Sequence, residues 1–202
     1  MTLDQFRPHL ERVLDPWVAV SNRLGLTPNA LSALALLVAG LAGGAFAAVE
    51  VDRRLYALGA VLVALNGWLD VLDGELAREQ GVESAAGDLL DHVLDRYADI
   101  VVLVGLAAGI GRYDLGLAAV TGVLMTSYLG TQSQAVGLDR VYGGLLGRAD
   151  RLALVGVVAL IAAVVDVDAV GLSLIAWLLV VFAVVGHLTA LQRFAGAWRA
   201  LT

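Results

Sequence analysis

The chain of 202 residues contains no cysteine. Disulfides, thiolate nucleophiles and cysteine-based metal sites are therefore excluded, and redox chemistry gives no hint of compartment. Lysine is absent too: all 13 basic residues are arginines. With a net charge of −6, this bias points to a salt-adapted or high-GC organism, a haloarchaeon being the expected source. Charge of either sign is scarce, at 16% of residues, whereas 59% are hydrophobic. A water-soluble domain is usually about 45–50% apolar and about 25% charged. The composition therefore excludes an ordinary soluble domain and indicates an integral membrane protein. The N-terminal segment MTLDQFRPHLERVLDPW lacks the basic head and apolar core of a secretory signal, so none is expected.

What the chain does have is a series of long apolar segments. Spans are expected near 29–49, 55–75, 88–110, 115–135, 152–165 and 170–191. Each approaches the ~20 residues needed to cross a bilayer, although the fifth is short. Within lipid they must be helices, because every backbone N–H and C=O needs an internal partner. The 23 glycines suit close helix–helix contact. Ahead of the spans, Leu3, Phe6, Leu10, Val13, Leu14 and Trp17 recur at helical spacing, with Asp4, Arg7, Glu11 and Arg12 between them. This pattern predicts an amphipathic helix over 3–22 lying on the membrane surface; the alternative is a soluble helix packed on the rest of the protein. The expected fold is all-α integral membrane: six transmembrane helices preceded by an N-terminal amphipathic surface helix, one domain over 1–202.

The arginines set the expected orientation. With a cytoplasmic N-terminus and six spans, Arg7, Arg12, Arg23, Arg78, Arg140, Arg148, Arg151, Arg193 and Arg199 fall inside. Arg53, Arg54 and Arg112 fall outside, and Arg96 lies within a span. Both termini and the stretch from Leu69 to Asp99 then face the cytoplasm, in the cell membrane.

That stretch, LDVLDGELAREQGVESAAGDLLDHVLDRYAD, holds nine of the chain's 19 acidic residues. A carboxylate within a span costs roughly 2.5–3.5 kcal/mol on insertion scales, so a group of them must be paired, line a wet cavity or hold a cation. Asp70 and Asp73 share one helix face, and Asp91 and Asp95 share another, extended by Asp88 and Asp99. Opposed, the two faces make an oxygen-only site suited to Mg²⁺ or Mn²⁺, whereas Zn²⁺ and Cu²⁺ sites usually include His or Cys. Gly74 leaves room for a ligand near the backbone. Arg78 offers a fork for phosphate oxygens, and Gly87 opens the next span. Divalent cations beside an arginine and a glycine suit a diphosphate.

The order Asp70-x2-Asp73-Gly74-x2-Ala77-Arg78, eight residues, then Gly87-x3-Asp91-x3-Asp95 resembles the signature of the CDP-alcohol phosphotransferases, membrane enzymes of phospholipid headgroup synthesis. All eight signature residues are present, and Thr27-Pro28-Asn29 at the first span fits as well. The resemblance implies that Asp70, Asp73, Asp91 and Asp95 hold two divalent ions, Mg²⁺ or Mn²⁺, on the diphosphate of a CDP-linked lipid. It implies Asp95 as general base. Asn29, Ser32, Asp70, Gly74, Ala77, Arg78, Ser84 and Gly87 would bind the CDP-lipid. The acceptor hydroxyl would attack the lipid-side phosphorus and CMP would leave. Homodimerisation is a further implication; no nucleic-acid partner is expected.

The segments SYLGTQSQAVG and GRADRL resemble the branch making phosphatidylinositol phosphate and phosphatidylglycerol phosphate. In inositol-phosphate members, basic residues follow the matching tyrosine; after Tyr128, this chain has Gly130 and Gln132 in those places. Arg148 and Arg193 are the candidates for an acceptor's phosphate, ahead of Arg151. The expected acceptor is a polyol phosphate, glycerol phosphate or inositol phosphate, with serine as the alternative. A haloarchaeal source would make the donor CDP-archaeol in place of CDP-diacylglycerol. Glu75, Glu79 and Glu83 are expected to be solvated, Asp99 to pair with Arg96, and His92 to be a non-ligand. A function of another class is a cation transporter built on the intramembrane aspartates, but it would not need Gly74, Ala77 and Arg78 at fixed offsets.

Overall fold

Thr27, Ser84 and Ser173 each stand just ahead of a helix, and each hydroxyl accepts an N–H three residues on, from Ala30, Gly87 and Ala176 (3.2, 3.1 and 3.2 Å). Such caps satisfy helix N-termini that would otherwise be unpaired. In a computed structural model describing residues 7–139 and 146–202, they open three of seven helices among the described residues. The order is α1 (Arg7–Arg23), α2 (Pro28–Ala47), α3 (Leu55–Gln80), α4 (Ala85–Gly109), α5 (Tyr113–Ala135) and α6 (Arg148–Val164). A two-stranded hairpin, β1 (Asp168–Ala169) and β2 (Leu172–Ser173), then leads into α7 (Leu174–Leu201). Residues 3–6 of the predicted surface helix, and Arg140, lie outside the described residues.

Six helices stand where six spans are expected, with shifted ends. α3 runs on to Gln80 because Gly81 is the first residue to turn left-handed (φ 63°). α6 starts at Arg148, four residues early, because the Asp150 carboxylate closes its first turn on the Gly147 N–H (3.0 Å). The last helix starts at Leu174 and not at 170. Asp168 accepts the Gly171 N–H (2.8 Å) and closes an antiparallel turn that pairs Asp168 with Ser173. Among the described residues, three helices are long and apolar enough to cross a membrane: α2, α3 and α7. α6 has only 17 residues, and α4 carries Asp88, Asp91, Asp95, Arg96 and Asp99.

The helices run up and down. α2 packs on α3 and α4, α5 on α4 and α7, and α6 on α3 and α7. Glycines permit two of these contacts. A Cβ at Gly43 would lie 2.6 Å from the Val101 carbonyl oxygen, and one at Gly186 would lie 2.7 Å from the Gly122 carbonyl carbon. The main core joins Phe46, Leu106, Leu179 and Phe182, all shut off from solvent. α1 packs on α3, burying Leu14 and Val18 in a second cluster with Leu72 and Leu76 while Val13, Trp17 and Val20 face outward. It is thus both packed on the protein and apolar on its outer side. The loops α2–α3 and α6–α7 meet with the end of α4 at one end of the bundle, around a cavity of about 260 Å³. The acidic stretch lies at the other end.

Candidate active site

One short connection and the packing of both helices on α2 bring the acidic faces together. Gly81 ends α3, Ser84 caps α4, and only four residues separate the helices, so α4 returns antiparallel to α3. Carboxylate oxygens of Asp70, Asp91 and Asp95 then lie within 4.8 Å of one another. All three are half-buried. Asp73 is not part of this trio. It is buried, and it accepts a 2.6 Å hydrogen bond from Ser32 of α2. A charge-assisted bond of this kind contributes about 1.5–3 kcal/mol and ties α2 to the acidic face. The donor set is all oxygen, with no His or Cys, which fits hard divalent cations such as Mg²⁺ or Mn²⁺.

One member of the trio, Asp91, lines a cavity of about 450 Å³ between α2, α3 and α4. Asn29, Ser32, Gly74, Ala77, Arg78, Ser84 and Gly87, which sequence assigned to the CDP-lipid, line it together with Asp73 and Asp91. Gly74 leaves the expected gap: the nearest atom to a Cβ there would be Arg78 Nη1, at 3.8 Å. Gly87 is tighter, since its Cβ would sit 3.3 Å from Ser84 Oγ. Ser84 also does structural work as the α4 cap. Asp70 lies on the inner side of the site, on a second cavity of about 10 Å³ shared with Asp73, Asp91 and Asp95.

The arginines make contacts within the protein that the sequence did not indicate. Arg148, assigned to the acceptor, bridges the acidic helices, with Nη1 2.6 Å from Asp70 and Nη2 2.8 Å from Asp95. The capped start of α6 delivers it there. Arg193 donates to the Thr126 carbonyl (2.6 Å) on α5. Arg78 lines the large cavity and pairs with Glu75. Glu75 was expected to be solvated, but its side chain is only 23% exposed, being partly covered on a pairing with Arg78 one helical turn away. Glu79 and Glu83 are exposed. His92 Nδ1 lies 2.8 Å from the Asp88 carbonyl, and the ring is outside the carboxylate trio.

Asp99 does pair with Arg96 (3.4 Å), but its shortest contact is to Arg151 (2.9 Å). Asp99 and Arg151 are both buried. Sequence reasoning placed Arg151 last among the acceptor candidates; its position, one turn after Arg148, was the available sign that it points the same way. Asn66, fully buried one turn before Asp70, was not singled out.

Known proteins resemble the chain in sequence and in fold. The model of the CDP-alcohol phosphatidyltransferase family matches residues 25–185. The archaetidylinositol phosphate synthase of Methanothermobacter thermautotrophicus is 31% identical, over 98% of this chain and 95% of the relative. That of Pyrococcus horikoshii is 30% identical, over 80% of this chain and 84% of the relative. Among solved structures, the phosphatidylinositol phosphate synthase of Mycobacterium tuberculosis with CDP-DAG bound superposes with a TM-score of 0.79. It is 26% identical, and the match covers 93% of this chain and 94% of that one. The same enzyme in complex with manganese and citrate gives 0.79 at 26% identity, covering 92% and 88%.

Proposed function

The chain belongs to the CDP-alcohol phosphatidyltransferase family, and from that premise we propose that it moves the phosphatidyl or archaetidyl group of a CDP-linked lipid onto a polyol phosphate, releasing CMP. The observation that carries the reading is the convergence of the signature. Asp73, Gly74, Ala77, Arg78, Gly87 and Asp91 line one cavity, and Asp70 and Asp95 meet Asp91 at its inner edge. Family membership sets aside the transporter alternative.

Asp70, Asp73, Asp91 and Asp95 would hold two divalent ions; such ions neutralise diphosphate charge and stabilise attacking and leaving oxygens. The residues of the chain do the rest. Asn29, Ser32, Gly74, Ala77, Arg78, Ser84 and Gly87 hold and orient the CDP head. Asp95 takes the proton of the acceptor hydroxyl as its oxygen bonds to the lipid-side phosphorus; the bond from that phosphorus to the CMP oxygen breaks, and CMP departs. Arg148 and Arg193 meet the acceptor's phosphate. Inositol phosphate is the favoured acceptor, supported by relatives that are archaetidylinositol phosphate synthases; glycerol phosphate is the second candidate, and Gly130 and Gln132 mark where the chain departs from inositol-phosphate members. The donor is CDP-archaeol, in keeping with those archaeal relatives. α2–α7 each cross the cell membrane, with α1 on its cytoplasmic surface beside the site, and the chain is a homodimer.

The test is nucleotide release by purified protein. CMP should appear only when CDP-lipid, Mg²⁺ or Mn²⁺ and a polyol phosphate are all present. Absence of CMP with every polyol, polyol phosphate and serine tried would overturn the proposal.

A further inference from the structure

Asn66 is 1% exposed, on α3 one turn before Asp70. Its Nδ2 donates to the Ala35 carbonyl of α2 (2.9 Å). That bond fixes which way the amide faces, since the reverse would set two carbonyl oxygens against each other. Its Oδ1 is buried and has no partner among the described residues. Leaving such an acceptor bare costs about 1–3 kcal/mol, whereas an apolar side chain of similar size would carry no such penalty. Asn66 lines the small cavity of about 10 Å³ together with Asp70, Asp73, Asp91, Asp95 and Arg148. That is about the room one water needs, and a buried water needs two to four polar partners, which these walls supply.

We propose that Asn66 is a positioning residue for the divalent cation: its Oδ1 accepts a hydrogen bond from a water in this cavity that ligates the cation held by Asp70, Asp91 and Asp95. The inference rests on the cation-binding part of the proposed function. The oxygen fixes the water's orientation, and through it the face of the cation turned toward α3. Partners of this outer kind typically change metal affinity by 10–100-fold.

The experiment measures Mn²⁺ affinity by titration calorimetry of the full chain in detergent. Hydration of the bound ion is read in parallel by Mn²⁺ resonance in ¹⁷O-water. Asn66→Leu removes both the donor and the cavity oxygen. Asn66→Asp loses the bond to Ala35 but keeps an oxygen facing the cavity. Asn66→Leu should weaken Mn²⁺ binding about tenfold or more and alter the ¹⁷O signal, while Asn66→Asp binds as tightly as the parent or tighter. Unchanged affinity in Asn66→Leu would overturn the proposal. So would equal weakening in both variants, which would make the Ala35 bond the whole role of Asn66. If Asn66→Leu does not fold, a tenfold loss in Asn66→Asp alone rejects it. Asp91→Asn is the control for the underlying reading: if the parent chain binds no Mn²⁺, or binds it regardless of Asp91, the cation site itself is wrong and this inference falls with it.

Discussion

Arg151 Nη2 lies 2.9 Å from Asp99 Oδ2, and both side chains are buried. The pair joins the middle of α4 to the first turn of α6, one turn beyond the carboxylates of the site. Removing one partner of a buried pair leaves an uncompensated charge and costs about 3–5 kcal/mol, whereas apolar replacement of both is often close to neutral. Asp99→Leu and Arg151→Leu should each lower the melting temperature in detergent sharply, and the double variant should lose less than the sum of the two, Arg96 and Arg148 still losing Asp99 in it. Additive losses in the double variant would contradict this pairing.

Asp95 lies within 4.8 Å of Asp70 and Asp91 and is bound by Arg148. General-base catalysis typically contributes 10²–10⁴-fold. Asp95→Asn should therefore lower kcat by at least about a hundredfold, with CDP-lipid binding retained in a direct binding assay. A variant that turns over near the parent rate would remove Asp95 as base.

Arg148 is expected to matter for the acceptor more than for the donor. Charge-assisted contacts are worth about 1.5–3 kcal/mol, so Arg148→Gln should raise the acceptor KM about tenfold or more, with a smaller change for the CDP-lipid. Equal shifts for both substrates would assign Arg148 to holding the aspartates alone.

Gly74 and Gly186 give a contrast between function and packing. A methyl group at Gly74 meets nothing closer than 3.8 Å but enters the large cavity. Gly74→Ala should melt like the parent and raise the CDP-lipid KM about tenfold, equivalent to ~1.4 kcal/mol. Gly186→Ala pushes a carbon within 2.7 Å of Gly122 and should lower stability instead. The reverse pattern would detach the cavity from donor binding.

The absence of cysteine makes topology directly measurable. In right-side-out vesicles, single cysteines at Glu50 and Asp166 should react with an impermeant thiol reagent, while those at Glu79 and Arg199 react only after permeabilisation. Labelling of all four from one side would rule out six alternating spans.

Much of this architecture was legible in the sequence because two periodicities carry it. Apolar runs of bilayer length gave the helices, and acids three or four apart gave the two faces that meet. Helix ends were less legible, because they depend on single residues: Gly81 in a left-handed turn, Asp150 reaching back to Gly147, and Asp168 closing on Gly171. Partners across helices were least legible. Nothing in the spacing says that Ser32 meets Asp73 over 41 residues, or that Arg151 meets Asp99 over 52. Asn66 was missed for the same reason: one buried amide in an apolar run has no pattern, and its meaning comes from the carboxylates on the facing helix.

The most direct measurement is the mass of the lipid product. Purified chain would be given CDP-archaeol and Mg²⁺ with inositol phosphate, glycerol phosphate or serine in separate reactions. The account predicts an archaetidyl polyol phosphate and an equal amount of CMP, with inositol phosphate the best acceptor. Product with serine alone, or none with any acceptor, would contradict it.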